Sequence, residues 1–125
     1  MFDHVSIGVR DLAAAGRFYD AALQPLGYTR LYDGPHGLGY GRARPQFWLG
    51  QSPSPVPPDP QSGLHLCFRA DTRGAVDAFH AIALARGGHD NGAPGLRPQY
   101  TPTYYAGFVL DLDGYRIEAV TFSVD

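Results

Sequence analysis

Hydrophobic and polar residues alternate in two ways along this chain: every second position in short runs, and every third or fourth in two longer ones. The first run, residues 1–9, has period two, with Val5, Ile7 and Val9 on one face and His4, Ser6 and Gly8 on the other, as in a half-buried strand. Asp11 then stands where a helix N-cap belongs. Leu12, Ala15, Tyr19, Ala22 and Leu26 recur at helical spacing, and Pro25 and Gly27 end the helix. Three strand candidates follow at 28–32, 38–42 and 46–50, separated by segments rich in glycine, proline or arginine. The first half therefore reads β-α-β-β-β.

Residues 51–62 break every periodicity. Five of these twelve positions are proline, which predicts an extended, solvated connector. The pattern then starts again, with a strand at 65–70, a helix at 72–86 and Gly87-Gly88 as its stop. Laying His65 on His4 without gaps places Phe79 on Phe18, Ala83 on Ala22, Leu84 on Leu23 and Gly88 on Gly27. Such a repeat of one supersecondary unit predicts two units around a shared core. Residues 91–98 read as a loop. The closing runs, 104–110 and 115–120, flank the turn Asp111-Leu112-Asp113-Gly114. The second half is again β-α-β-β-β. The expected class is α+β: a single domain over 1–125, with units 1–50 and 63–125 joined by 51–62.

Composition narrows the function. A chain of 125 residues with 44% hydrophobic and 13% aromatic content can build a core, which excludes wholesale disorder. It has no lysine, its arginines are scattered and its net charge is −2, so neither nucleic acid nor an anionic membrane is an expected partner. The N-terminal run carries no signal-peptide pattern and no stretch reaches the roughly 20 apolar residues of a membrane span. A cytoplasmic protein is expected. Cys67, the one cysteine, lies in a strand-like run where a buried, inert thiol is expected.

The closing strand holds the most unusual residue. Glu118 is the only glutamate of the chain, set in an apolar run, and a carboxylate there costs desolvation unless a cation receives it. Arg116, two residues away on the same face, is one candidate partner; a metal ion is the other. The tract 96–105 is the second unusual feature. Arg97, Tyr100 and one of Tyr104 or Tyr105 could line a pocket for an anionic or aromatic substrate, or the tyrosines could simply alternate across a sheet. His80 falls on the second helix stripe as a packing residue, and His36 and His89 fall in loop-like sequence.

The repeated β-α-β-β-β unit, the opening His4-Val5-Ser6-Ile7-Gly8-Val9, the pair Phe18-Tyr19 and the closing segment from Asp111 to Glu118 together resemble the vicinal oxygen chelate superfamily. That group includes glyoxalase I, extradiol dioxygenases, fosfomycin-resistance proteins and bleomycin-binding proteins. The resemblance covers essentially the whole chain. It implies two modules that curve a mixed sheet around a central cleft, with metal ligands from the first and last strands of each. Carried over by position, the ligands are His4, His65 and Glu118; Trp48 occupies the fourth position, cannot bind a metal, and is left to line the substrate pocket. Two imidazoles and a carboxylate suit a divalent transition metal, with Fe2+, Mn2+, Zn2+, Ni2+ and Co2+ all open. The implied chemistry is chelation of a small substrate's adjacent oxygens, with Glu118 as the catalytic carboxylate, in a lyase, isomerase or dioxygenase. Trp48 in place of a second glutamate departs from glyoxalase I. Phe108 and Leu112 depart from the dioxygenase pattern, which has tyrosine and proline there. The alternative within the same superfamily is a non-catalytic, bleomycin-resistance-like binder. A homodimer is expected, its site possible within one chain or built from both.

Overall fold

The computed structural model describes residues 1–55, 59 and 61–125, so positions 56–58 and 60 of the expected connector lie outside the described residues. The first half comprises β1 (Val5–Val9), α1 (Leu12–Leu23), β2 (Thr29–Asp33), β3 (Gly37–Gly41) and β4 (Phe47–Gln51). The second comprises β5 (Leu66–Arg69), α2 (Arg73–Ala85), β6 (His89–Leu96), β7 (Tyr105–Leu110) and β8 (Arg116–Thr121). Each helix begins on a side-chain cap. Asp11 accepts the Ala14 N–H at 3.0 Å, and Thr72 accepts that of Ala75 at 3.1 Å. After α1 a short turn closes on Gly27, whose left-handed φ of 83° would strain any residue with a Cβ.

The two halves form the same sheet twice, ordered β1-β4-β3-β2 and β5-β8-β7-β6. In each, the opening strand runs parallel to the last strand and the remaining pairs are antiparallel. Two mixed four-stranded sheets with one helix per unit make an α+β fold of two βαβββ units. The register shows how deep the repeat goes: Ser6 lies opposite Trp48 in the first sheet and Cys67 opposite Glu118 in the second. Trp48 and Glu118 thus stand at corresponding places.

Of the segment 91–98, expected to be a loop, residues 91–96 instead belong to β6, which spans His89–Leu96 and pairs only with β7 at the sheet edge; 97 and 98 lie outside any strand. Most of its residues are exposed, so burial imposed no alternation for the sequence to reveal. An edge also tolerates Pro94, which has no N–H to give, and the bulges around Gly92, whose φ is 145°.

One core joins the halves. Phe18, Tyr19, Leu23 and Leu26 from α1 and its turn meet Val76, Phe79 and Ala83 of α2, with Tyr40, Phe47, Leu49, Val109, Ile117 and Ala119 from the sheets. Phe47 and Phe68 meet edge-to-face across the junction at 5.1 Å. Two tyrosine hydroxyls cross in opposite directions: Tyr28 donates to the Arg69 carbonyl at 2.7 Å and Tyr115 to the Gly8 carbonyl at 2.8 Å. Gly8 and Arg69 are equivalent in the repeat, so the two acceptors correspond, although the donors come from different places in each unit. Core side chains occupy the helix-facing side of each sheet, which leaves His4, Ser6, Gly8, Trp48 and Gly50 on the outer side of one and His65, Cys67 and Glu118 on the outer side of the other. Among the described residues, no helix is long and apolar enough to cross a membrane.

Candidate functional site

Glu118 is the centre of the second outer face. It lies in the middle of β8, between Cys67 on β5 and Phe108 on β7, and is only 1% exposed. Its carboxylate is held from two sides. The Tyr104 hydroxyl donates to Oε2 at 2.5 Å, and His65 Nε2 lies 3.2 Å from Oε1. Arg116, the cation next to it in sequence, is engaged elsewhere. Its guanidinium donates to the carbonyls of Leu64 and Asp59 and to Ser62 Oγ, tying down the chain that leads into β5.

His65 has an acceptor on both sides. Its Nδ1 lies 3.1 Å from the Gly63 carbonyl, while Nε2 faces the carboxylate. A neutral imidazole has one N–H and can serve only one of these oxygens. With the proton at Nδ1, Nε2 is left as an electron-pair donor 3.2 Å from Glu118 Oε1, and a cation shared by the two atoms would satisfy both.

These groups line a cavity of about 470 Å3 together with Asn91, Tyr100, Tyr104 and Phe108. Tyr104 is fixed by edge-to-face contacts with Tyr100 at 5.0 Å and Phe122 at 5.4 Å. Burial first, and the hydrogen bond to Glu118 second, push the Tyr104 phenol above its usual pKa, so it remains a proton donor. Cys67 is exposed rather than buried. Protein packed around its sulfur, followed by the Glu118 charge, nevertheless pushes the thiol up to about 12. The cysteine had no apparent place in the site from sequence; its signal was its position two residues beyond His65 on the same strand face.

His4 occupies the other outer face. Its Nδ1 meets Asp3 Oδ1 at 2.8 Å, and that carboxylate also takes Arg44 at 3.2 Å. The His4 hydrogen bond, then the Arg44 charge, hold Asp3 below the usual carboxylate range, so His4 Nδ1 carries the proton and Nε2 is an acceptor. His4 lines a cavity of about 750 Å3 with Ser6, Trp48, Gly37 and Gly50. Within one chain the structure thus gathers His65, Glu118, Tyr100 and Tyr104 in one cavity and His4 and Trp48 in another. Arg97 and Tyr105 line neither. Arg97 lies over the Phe108 ring and donates to the Ala93 carbonyl, and the Tyr105 hydroxyl donates to Asp77 of α2. Among the described residues, no group of three or more His, Cys, Asp or Glu is gathered closely enough to hold a metal.

Two βαβββ units with their outer faces open define a glyoxalase-type fold. A sequence model of the Glyoxalase/Bleomycin resistance protein/Dioxygenase superfamily matches residues 1–119, and the chain belongs to that superfamily. A glyoxalase/bleomycin resistance protein from Albidiferax ferrireducens T118 is 32% identical with a TM-score of 0.85, over 96% of this chain and 98% of that one. More distant structures share the fold alone. They include a glyoxalase/bleomycin resistance protein/dioxygenase family enzyme from Burkholderia phytofirmans PsJN (20% identity, TM-score 0.69, 97% of this chain and 98% of that one). Another is the fosfomycin resistance protein FosX from Mesorhizobium loti (15% identity, TM-score 0.72, 99% of this chain and 93% of that one). No protein of curated function matches.

Proposed function

We propose that this protein is a metal-dependent enzyme whose small-molecule substrate presents two adjacent oxygens to a divalent transition metal, in lyase, isomerase or dioxygenase chemistry. The observation that carries the reading is the 3.2 Å approach of His65 Nε2 to Oε1 of a carboxylate that is 1% exposed and has no arginine on it. An imidazole whose Nδ1 lies against the Gly63 carbonyl and a carboxylate oriented through Tyr104 are two candidate ligands whose second partners are already in place. This donor set fits a divalent ion, with His65 Nε2 and Glu118 Oε1 as the holding atoms. His4, whose Nε2 is left as an acceptor by Asp3, is the third ligand.

His4 and Glu118 line different cavities of one chain, so the reading requires a second copy. In the homodimer we infer, the first half of one protomer faces the second half of its partner and completes the ligand set. A metal bound there would polarise the substrate's oxygens and stabilise the anion that forms. Glu118 would be the catalytic carboxylate of the site, its Oε2 held by the Tyr104 hydroxyl. Tyr100 presents its phenol to the substrate oxygens and Tyr104 lines the same cavity with its hydroxyl committed to Glu118, while Arg97 and Tyr105 support the surrounding strands.

Metal content of oxygen-free preparations tests this. The wild type should carry about one metal per chain, and Glu118→Ala and His65→Ala should both lose it while remaining folded. A wild type that stays empty after incubation with each of Fe2+, Mn2+, Zn2+, Ni2+ and Co2+ overturns the reading and leaves a ligand-binding member of the superfamily.

A further inference from the structure

The cavity that holds His4 has a feature that metal binding does not use. Trp48, the only tryptophan of the chain, stands where Glu118 stands in the second sheet. Its half-buried indole lies down on the sheet instead of projecting from it. Gly39 permits this: a Cβ there would come within 2.8 Å of indole Cζ3 and 3.0 Å of Cε3. The Tyr32 ring, 5.3 Å away, braces the indole from one side. Next along β4, the outer side of Gly50 is open, with nothing within 4 Å of where its Cβ would be. Gly37, its partner on β3, also lines the cavity. The polar side chains of Ser6, His4 and Ser52 stand on the β1 side of the same space.

The geometry points to an aromatic subsite: the indole of Trp48 and the bare backbone at Gly50 take a flat aromatic ring, with its polar substituents directed toward Ser6 and His4. A flat floor of backbone beside a face-presenting indole accepts a ring about one strand spacing, roughly 5 Å, across. A puckered aliphatic ring of the same size cannot lie on either surface with the same contact. A hydrogen-bonding edge on one side only favours a ring that is polar at one end. This rests on the proposed function in one respect, that the ring belongs to the substrate whose oxygens reach the metal; the stacking itself needs no metal. It makes the substrate an oxygenated aromatic rather than an aliphatic compound.

The sole tryptophan supplies the readout. Metal-free protein, kept in chelator without oxygen, is titrated with catechol and with cis-1,2-cyclohexanediol, which share the adjacent oxygens and differ in flatness. Catechol should quench Trp48 fluorescence saturably and bind roughly 10-fold or more tightly than the diol. Gly50→Val places a β-branched side chain in open space on a strand, which the fold tolerates. It should weaken catechol by about 10-fold or more by covering the floor, and leave metal uptake unchanged. Equal binding of the two compounds, quenching that rises linearly without saturation, or undiminished catechol binding by Gly50→Val would each overturn the subsite. Because the titration excludes metal, a wild type that binds catechol but never takes up metal refutes the enzyme reading and keeps the aromatic subsite. The reverse result refutes the subsite alone.

Discussion

Tyr19→Phe is the most direct test of what joins the two halves. Tyr19 sits on α1, 1% exposed, and its hydroxyl donates at 2.5 Å to Oδ2 of Asp111, which is 3% exposed in the turn between β7 and β8. The other oxygen, Oδ1, accepts the N–H groups of Asp113 at 3.0 Å and Tyr115 at 2.8 Å. One carboxylate therefore shapes a turn of the second half and anchors the helix of the first. Phenylalanine keeps the ring contacts with Phe18 and Phe47 and removes only the donor. A hydrogen bond to a charged group contributes about 1.5–3 kcal/mol, and here its loss leaves a buried oxygen without its donor, so we expect about 2–3 kcal/mol. For a chain of this size that is roughly 6–15 °C in Tm. The pH dependence gives an independent check. Burial raises the Asp111 pKa and the Tyr19 hydrogen bond opposes the rise, so the variant's carboxyl has a still higher folded pKa. A raised carboxyl pKa means that the folded state binds a proton which the unfolded chain has released. The variant's deficit is then largest near neutrality and shrinks as pH falls through the Asp111 titration. Urea unfolding of both proteins at neutral and acidic pH measures this. A deficit below about 0.5 kcal/mol, or one that grows toward acid, would show that the hydroxyl does not hold the carboxylate.

Two other substitutions probe the site. Tyr104→Phe removes the donor to Glu118 Oε2 and should weaken metal binding by about 10–100-fold without unfolding the chain, measured by competition with a chromogenic chelator; unchanged affinity would show that Tyr104 does not orient the ligand. Cys67, with its thiol pushed up to about 12, should react sluggishly despite its exposure. At pH 8 its thiolate fraction is about three orders of magnitude below that of an ordinary thiol, and its greater intrinsic nucleophilicity recovers about half of that on a logarithmic scale. Labelling by iodoacetamide should therefore run roughly 50-fold slower than that of glutathione. Glu118→Gln removes a charge that raises this pKa and should speed the reaction; equal rates in wild type and variant would refute the coupling.

Much of the fold was legible because burial and capping leave marks on sequence. The Asp11 cap, the stripe from Leu12 to Leu26 and the constant displacement between His4 and His65 all correspond to features of the structure. β6 was not legible, since an exposed edge strand with a proline and two bulges has no apolar alternation and little ladder to protect. Arg116, one of the two candidate partners of Glu118, is engaged elsewhere for a related reason. Sequence adjacency put both on one face, but a long guanidinium at the start of β8 reaches more easily to the carbonyls of the chain entering β5 than inward to a carboxylate surrounded by Tyr104 and His65. The grouping of the site residues lay further from view. A repeat says which residues are equivalent, and equivalence fixes their height and face within each sheet: Ser6 with Trp48, Cys67 with Glu118. It says nothing about the distance between the two faces, which depends on how the units pack. Here they pack through α1, α2 and the Tyr28 and Tyr115 hydroxyls, an arrangement that spends the helix-facing sides on a shared core and leaves both outer faces open. His4 can therefore be a perfect counterpart of His65 in the repeat and still need another protomer to reach Glu118. If the oligomer is built that way, a monomeric variant should keep its fold, its Tyr104–Glu118 hydrogen bond and its aromatic platform, and lose only the metal.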